Sequence, residues 1–302
     1  MSTIIVGVDL SPSSDIAIGH AIDLARAEHA ELVLVLVDAI PDVPDSIPPS
    51  AVVAARAYSQ RLGARLDEDT LALDALRTKF TGRGVEISQR VVDGYPDEAL
   101  PKIAAELEAD AIVVGSHGRT GLKRVLLGSV AERVVRLAPC AVMVARGEAP
   151  IGGYHHLVVG TDFGATSERA LARALVVAAP RARIDVVHCW QMSPMITPPD
   201  APAMIPTYET LRTDTIAKLR QDGEALAETA KRGRDVDVRF HLLERPAAHG
   251  IDDFAGEVHA DLIVVGSHGR RGVRRFLLGS IAEVTVRHAP CSTLVVRAAE
   301  TA

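Results

Sequence analysis

At 302 residues the chain is too long for one small domain and suits two of ordinary size. A formal charge of -6 and an aromatic content of 3% exclude a general nucleic-acid binder, which needs a basic face and stacking rings. Hydrophobic residues, at 48%, are enough for two cores of Val, Leu, Ile and Ala, a composition that suits a sheet covered on both faces by helices.

Thr3–Val8 is a β-branched run ending in Asp9, as expected of a strand buried on both faces. The opening M-S-T-I-I-V-G-V-D has no basic segment or long apolar core, so no signal peptide is expected. Ser11-Pro12 reads as a cap with proline at the first helical position, leading a helix to about Ala30. Leu32–Val37 is a second buried strand. Pro41–Pro49 is too rich in proline for regular structure. A long helix is predicted over Ala51–Phe80 and is stopped by Thr81-Gly82-Arg83-Gly84. Val85–Val92 begins by alternating apolar and polar residues, the pattern of a half-exposed edge strand. A helix from Pro96 to Leu107, a strand at Ala111–Val114, a helix over Val130–Leu137 and a strand at Ala141–Ala145 complete the first half.

Gly147–Gly153 is a linker by composition. The predicted domains are 1–146 and 154–302, because the same order then repeats. Strands are expected at Leu157–Thr161, Ile184–Trp190, Val236–Leu243, Leu262–Val265 and Thr293–Val296. Helices are expected near Ser167–Ala179, Tyr208–Arg232, Ala248–His259 and Ile281–Arg287, with a proline-rich loop at Ser193–Pro206. No apolar run approaches the length of a membrane span. Cys140 and Cys291, each after Ala-Pro, are expected to be buried as small hydrophobes. The three cysteines form no disulfide framework, which fits a reducing cytoplasm.

Each half alternates strand and helix, which implies a five-stranded parallel sheet sandwiched by helices. Placing the alternating third strand at an edge gives the order 3-2-1-4-5. The switch point then falls between strands one and four, where ligands bind beyond the strands' carboxyl ends. Asp9 and Gly115 terminate those strands in the first half, and Asp162 and Gly266 in the second.

Two loops carry the chemistry: G-S-H-G-R-T-G-L-K-R-V-L-L-G-S from Gly115 to Ser129, and G-S-H-G-R-R-G-V-R-R-F-L-L-G-S from Gly266 to Ser280. Each lies between a strand and a helix. Glycines at fixed offsets let backbone N–H groups approach a ligand, and the helix N-terminus favours an anion. No Gly-Lys-Ser/Thr occurs, so neither is a P-loop. Neither follows strand one, so neither is a dinucleotide fingerprint.

On these residues the chain resembles the universal stress protein family in its tandem form. Gly115, Gly118, Gly128 and Ser129 match that family's nucleotide signature. Gly266, Gly269, Gly279 and Ser280 match it again. The strand-one aspartates in V-G-V-D and V-G-T-D and the A-P-C lead into strand five extend the likeness over nearly the whole chain. The resemblance implies an adenine nucleotide alpha hydrolase-like fold and a cytoplasmic, stress-induced protein. It also implies binding of ATP, or of ADP or AMP, with Mg2+ as a possible companion held through phosphates and water. One site is expected per half. Val8, Asp9, Val37, Val114, Arg119 and Val130 accompany the first signature. Thr161, Asp162, His188, Val265, Arg270 and Ile281 accompany the second. The family often has glycine where Leu10 and Phe163 follow the aspartates, and a bulkier side chain at either position is expected to narrow the adenine pocket.

Each role has a plainer alternative. Ser129 and Glu132, like Ser280 and Glu283, have the spacing of a capping box, which is compatible with phosphate contact. Asp9 and Asp162 either cap a turn or accept from a ribose hydroxyl or an adenine amino group. His117 and His268 have no nucleophile or carboxylate set by spacing, so no catalytic residue is assigned. His155-His156 is read as a linker pair, and no metal site is expected. The leading function is a nucleotide-dependent regulatory or interaction module. A slow ATPase or nucleotide phosphotransferase is the alternative, and a scaffold with purely structural loops is a third reading. The apolar fifth strands are expected to pair as an intrachain pseudo-dimer, or between chains in a homodimer.

Overall fold

The computed structural model describes residues 2–38, 67–117, 127–191, 205–267 and 278–298, without the side chains of 205–208 and 248. Two compact units divide the chain, Met1–Ala149 and Pro150–Ala302. The predicted loop at Pro41–Pro49 and the predicted helical stretch 51–66 lie outside the described residues.

The first unit runs β1 (Thr3–Val8), α1 (Pro12–Glu28), β2 (Glu31–Asp38), α2 (residues 67–80), β3 (Ile87–Asp93), α3 (Pro96–Glu106), β4 (Ala111–Gly115), α4 (Ser129–Leu137) and β5 (Ala141–Ala145). Its strands lie in the order β3-β2-β1-β4-β5, all parallel. Ile4, Ile5 and Val6 are fully buried, as are Ile112 and Val113 beside them. Each such side chain contributes about 1.5–3 kcal/mol by leaving water. β3 alternates half-buried and exposed positions, as its pattern predicts for an edge.

The second unit repeats the plan. It runs β6 (Tyr154–Gly160), α5 (Ala165–Val177), β7 (Ala178–Cys189), α6 (Ile205–Lys231), β8 (Val236–Leu243), α7 (Ala247–Glu257), β9 (Leu262–Gly266), α8 (Ser280–His288) and β10 (Ser292–Val296). Its order is β8-β7-β6-β9-β10, again parallel.

Close packing of α3 on β1 sets the floor of the switch point. A Cβ built on Gly7 would lie 2.6 Å from Leu100 Cδ1, and one on Gly160 would lie 2.8 Å from Ile251 Cδ1. A side chain at either position would have to displace the tip of Leu100 or Ile251, so glycine lets each helix seat closely on its strand.

Three expectations need correction. Ala178 and Ala179, read as the end of a helix, begin β7. Tyr154 pairs with Ala178, a register shift follows, and Arg181 takes a φ of 62° to absorb the extra residues. His155 and His156 belong to β6, not to a linker. Cys140 and Cys291 are half-buried rather than buried.

Candidate nucleotide site

A cavity of about 350 Å³ opens beyond the carboxyl ends of β1 and β4. That volume lies within the usual range for small-molecule sites. Val8, Asp9, Val37, Val114, Gly115, Gly128, Ser129 and Val130 line it, so eight sequence-predicted residues share one wall system. Gly118 and Arg119 lie outside the described residues, as do Gly269 and Arg270. Gly7, Ser13, Ser14, Val35, Pro96, Leu100, His117 and Ala131 also line the cavity and were not singled out as site residues from the sequence. Two signals for them were present: the period of two that puts Val35 beside Val37, and the serine run after Asp9.

The wall has two characters. Val8, Val35, Val37, Pro96 and Leu100 make an apolar side. Gly115, His117, Gly128 and Ser129 make a polar side at the start of α4. A helix start presents N–H groups with no intrahelical partner and a partial positive charge.

The expected capping boxes do not form. Gly128 and Gly279 are the N-caps, neither helix has a side-chain cap bond, and Ser129 and Ser280 are the first helical residues. Glu132 and Glu283 face Arg136 and Arg287 one turn on, at 3.4 and 3.3 Å. What fixes each helix start is backbone: Gly128 N–H donates to Ser116 O at 2.9 Å and Gly279 N–H to Ser267 O at 2.7 Å.

Asp9 is held by its own turn. Its Oδ1 accepts from Ser11 N–H at 3.0 Å, from the Ser11 hydroxyl, and from the Ser14 hydroxyl at 2.8 Å. Ser11 holds the N-cap position of α1, as expected, but its hydroxyl turns back to Asp9 and makes no cap bond. Asp162 accepts from Gly164 N–H at 3.0 Å in the second unit. Leu10 and Phe163, the residues after these aspartates, have φ of 60° and 59°. Both lie in the left-handed region that favours glycine.

The second unit differs in detail. β1 pairs Gly7 with Val35, and β6 pairs Gly160 with Val187, so the counterpart of Val37 is Cys189, not His188. His188 faces the other side of the sheet, where Nδ1–H donates to Thr161 O at 2.7 Å. Phe163 follows it: its ring centroid is 4.8 Å from His188 and 6.0 Å from Phe240. Phe163 is thus turned away from Cys189 and does not narrow the cleft as expected. Burial pushes the Cys189 thiol up to about 11 against the pull of the Arg245 guanidinium, so the thiol is protonated at neutral pH. Val265 is buried beneath Gly266, and Ser280 and Ile281 open α8.

Beneath α7 lies a polar group that the sequence did not reveal. Asp185 is fully buried in β7. His156 Nε2–H donates to its Oδ2 at 2.7 Å, His241 Nε2–H to Oδ1 at 2.8 Å, and Arg183 Nε–H to Oδ1 at 3.1 Å. Burial alone would raise this carboxyl, but the three donors outweigh it and hold it at about 2. Among the described residues no group of three or more His, Cys, Asp or Glu could hold a metal ion.

The universal stress protein family profile matches residues 1–146 and again 153–297. The chain belongs to the universal stress protein family. It is 32% identical over 300 residues to a universal stress protein of Mycolicibacterium smegmatis, covering 97% of this chain and 96% of that one. It is 29% identical to universal stress protein Rv2623 of Mycobacterium tuberculosis over 97% and 96% of the two chains. A universal stress protein crystal structure from Archaeoglobus fulgidus superposes with a TM-score of 0.68 at 20% identity, covering 98% of each chain. That likeness extends the shared fold over the whole chain. Among the described residues no helix is long and apolar enough to cross a membrane.

Proposed function

We propose that this universal stress protein is a cytoplasmic stress-response module that binds ATP, ADP or AMP, one nucleotide in each half, and changes its interactions with occupancy. The observation that carries this reading is the first cavity, where an apolar wall and the start of α4 face each other across eight residues chosen from sequence. Val8, Val37 and Leu100 would flank the base, Asp9 would meet the ribose, and Gly115, Gly128 and Ser129 would meet the phosphates. Mg2+ would reach the protein through phosphate and water. In the second half Asp162, Gly266, Gly279 and Ser280 would act in the same way.

The domain limits we propose are 1–146 and 154–302, with 147–153 as linker. Gly147, Gly152 and Gly153 have φ of 65°, 84° and 103°, which supports a turn-rich connection. We also propose that the two fifth strands pair within the chain.

Mass spectrometry of nucleotide that co-purifies with the chain, followed by calorimetric titration, tests the reading. Absence of any adenine nucleotide together with no binding heat would sink it. Single-turnover assays with labelled ATP separate a binder from a slow ATPase.

A further inference from the structure

The two clefts differ at the corner where β3 leads into α3 and β8 into α7. β2 pairs Val37 with Val92, and β7 pairs Cys189 with Leu243. Cys189 stands for Val37, so Arg245 stands for Gly94 in the chain order that follows each pair. Gly94 N–H donates to Asp38 O at 3.0 Å, which fixes it beside the end of β2. A Cβ on Gly94 would meet nothing within 4 Å, so this corner is open in the first half.

In the second half a long side chain takes the corner. Ile251 over Gly160 matches Leu100 over Gly7, so Gly250 stands where the first half has Ala99. A Cβ on Gly250 would lie 2.8 Å from Arg245 Cγ, 3.1 Å from its Cδ and 2.9 Å from Cys189 Sγ. The arginine stem and the thiol therefore meet over the bare backbone of Gly250, in room that an alanine would take. The far end is held as well. Arg245 Nη1–H donates to Glu257 Oε1 at 3.2 Å, so the arm runs along α7 to its last residue.

We infer that Arg245 is a strap across the base side of the second cleft, an inference that rests on the nucleotide reading above. Val37 lines the first cavity, and its counterpart Cys189 lies against the arm. A base entering the second half must lift the arm off Cys189 and break its pair with Glu257. Both ends of that pair reach water, so opening costs little. The strap therefore sets affinity and does not forbid binding. It makes the second half the weaker of two sites, filled after the first.

The test is calorimetric titration of the full chain with ATP, with thermal melts to show folding. To isolate the second site, the parent chain carries Gly128→Val, which blocks the first loop. Arg245→Ala and Glu257→Gln, each added to that parent, should tighten ATP by at least about threefold. A second measurement involves no nucleotide. Glu257→Gln keeps the guanidinium and frees the arm, so N-ethylmaleimide should label Cys189 about threefold faster, with Cys140 and Cys291 unchanged. Variants that melt like the parent and bind ATP no tighter, or not at all, overturn the strap. So does unchanged labelling of Cys189. In both cases a chain with its first loop intact still binds ATP, and the nucleotide reading stands. Absence of binding heat with both loops intact overturns that reading, and the strap with it.

Discussion

Gly128 N–H and Ser116 O close the two ends of the first glycine loop with a 2.9 Å hydrogen bond. The bond brings the end of β4 to the start of α4 and places both at the cavity wall. Gly128 has φ of -64° and ψ of 144°, which any residue adopts. A Cβ there would lie 3.4 Å from Ser116 O, an ordinary contact. Gly128→Val should therefore fold normally while its branches occupy the space beside the helix start. Nucleotide affinity at the first site should fall by at least about tenfold, or roughly 1.4 kcal/mol. Unchanged calorimetric affinity with a normal circular dichroism spectrum would remove this loop from phosphate binding.

Gly115, in the same signature, behaves differently. A Cβ there would meet Ser13 Cβ at 3.1 Å and both Ser13 O and His117 O at 3.3 Å. The glycine lets β4 pass the start of α1. Gly115→Val should lower stability by about 1–3 kcal/mol through overpacking. Denaturant titration reads this directly. A wild-type midpoint would show that α1 yields without cost.

Much of this was legible because the elements carry strong patterns. The apolar runs of β1 and β4 leave no alternative to buried strands, and the alternation in β3 marks an edge. The switch point followed from that order. What sequence could not give was tertiary competition. S-x-x-E at Ser129 has the spacing of a capping box, yet the backbone bond from Gly128 to Ser116 fixes the helix start one residue earlier. Ala178 and Ala179 favour a helix, yet pairing with Tyr154 draws them into β7. The one-residue error at His188 has the same origin, because register in β7 depends on its partner strand. His156, Asp185 and His241 come from three strands, so no local pattern joins them.

Asp185 should make the second unit sensitive to acid. Its folded value of about 2 lies below the 3.8 of an ordinary aspartate. A depressed carboxyl stabilises the fold above the unfolded value, and that contribution is lost as pH falls through the folded one. The loss should fall between pH of about 4 and 2 and amount to about 2 kcal/mol. Asp185→Asn should lower stability at neutral pH and flatten the dependence across that window. Urea titrations at stepped pH check it. An acid limb equally steep in the variant would mean that other carboxylates carry the transition.

Two signatures predict two nucleotides per chain. Phe163 packs on His188 and Phe240, away from Cys189, so it is not what would close the second cleft. Phe163→Gly relieves a φ of 59° but removes a ring from the apolar side of the sheet. Second-site affinity should stay within about threefold, while stability falls by less than the roughly 3–5 kcal/mol of a fully buried Phe, because Phe163 is half-buried. A wild-type titration saturating at one nucleotide, restored to two by Phe163→Gly, would reverse this assignment of the ring.

The last prediction concerns the fifth strands. β5 ends the strand order of the first unit, and Ala141–Ala145 is apolar at every position. β10 ends the order of the second unit with Ser292–Val296, S-T-L-V-V. An apolar edge with no lysine or proline invites another strand. A linker of residues 147–153 keeps the effective concentration of one edge for the other high, which favours pairing within a chain over pairing between chains. Cysteines introduced in place of Met143 and Leu294 should cross-link within a single chain under mild oxidation. Val142→Pro or Val295→Pro should loosen the halves, because each removes a ladder donor from an edge, and limited proteolysis near residues 147–153 should then speed up. Dimers that form only through cross-links between chains would show that the edges pair intermolecularly.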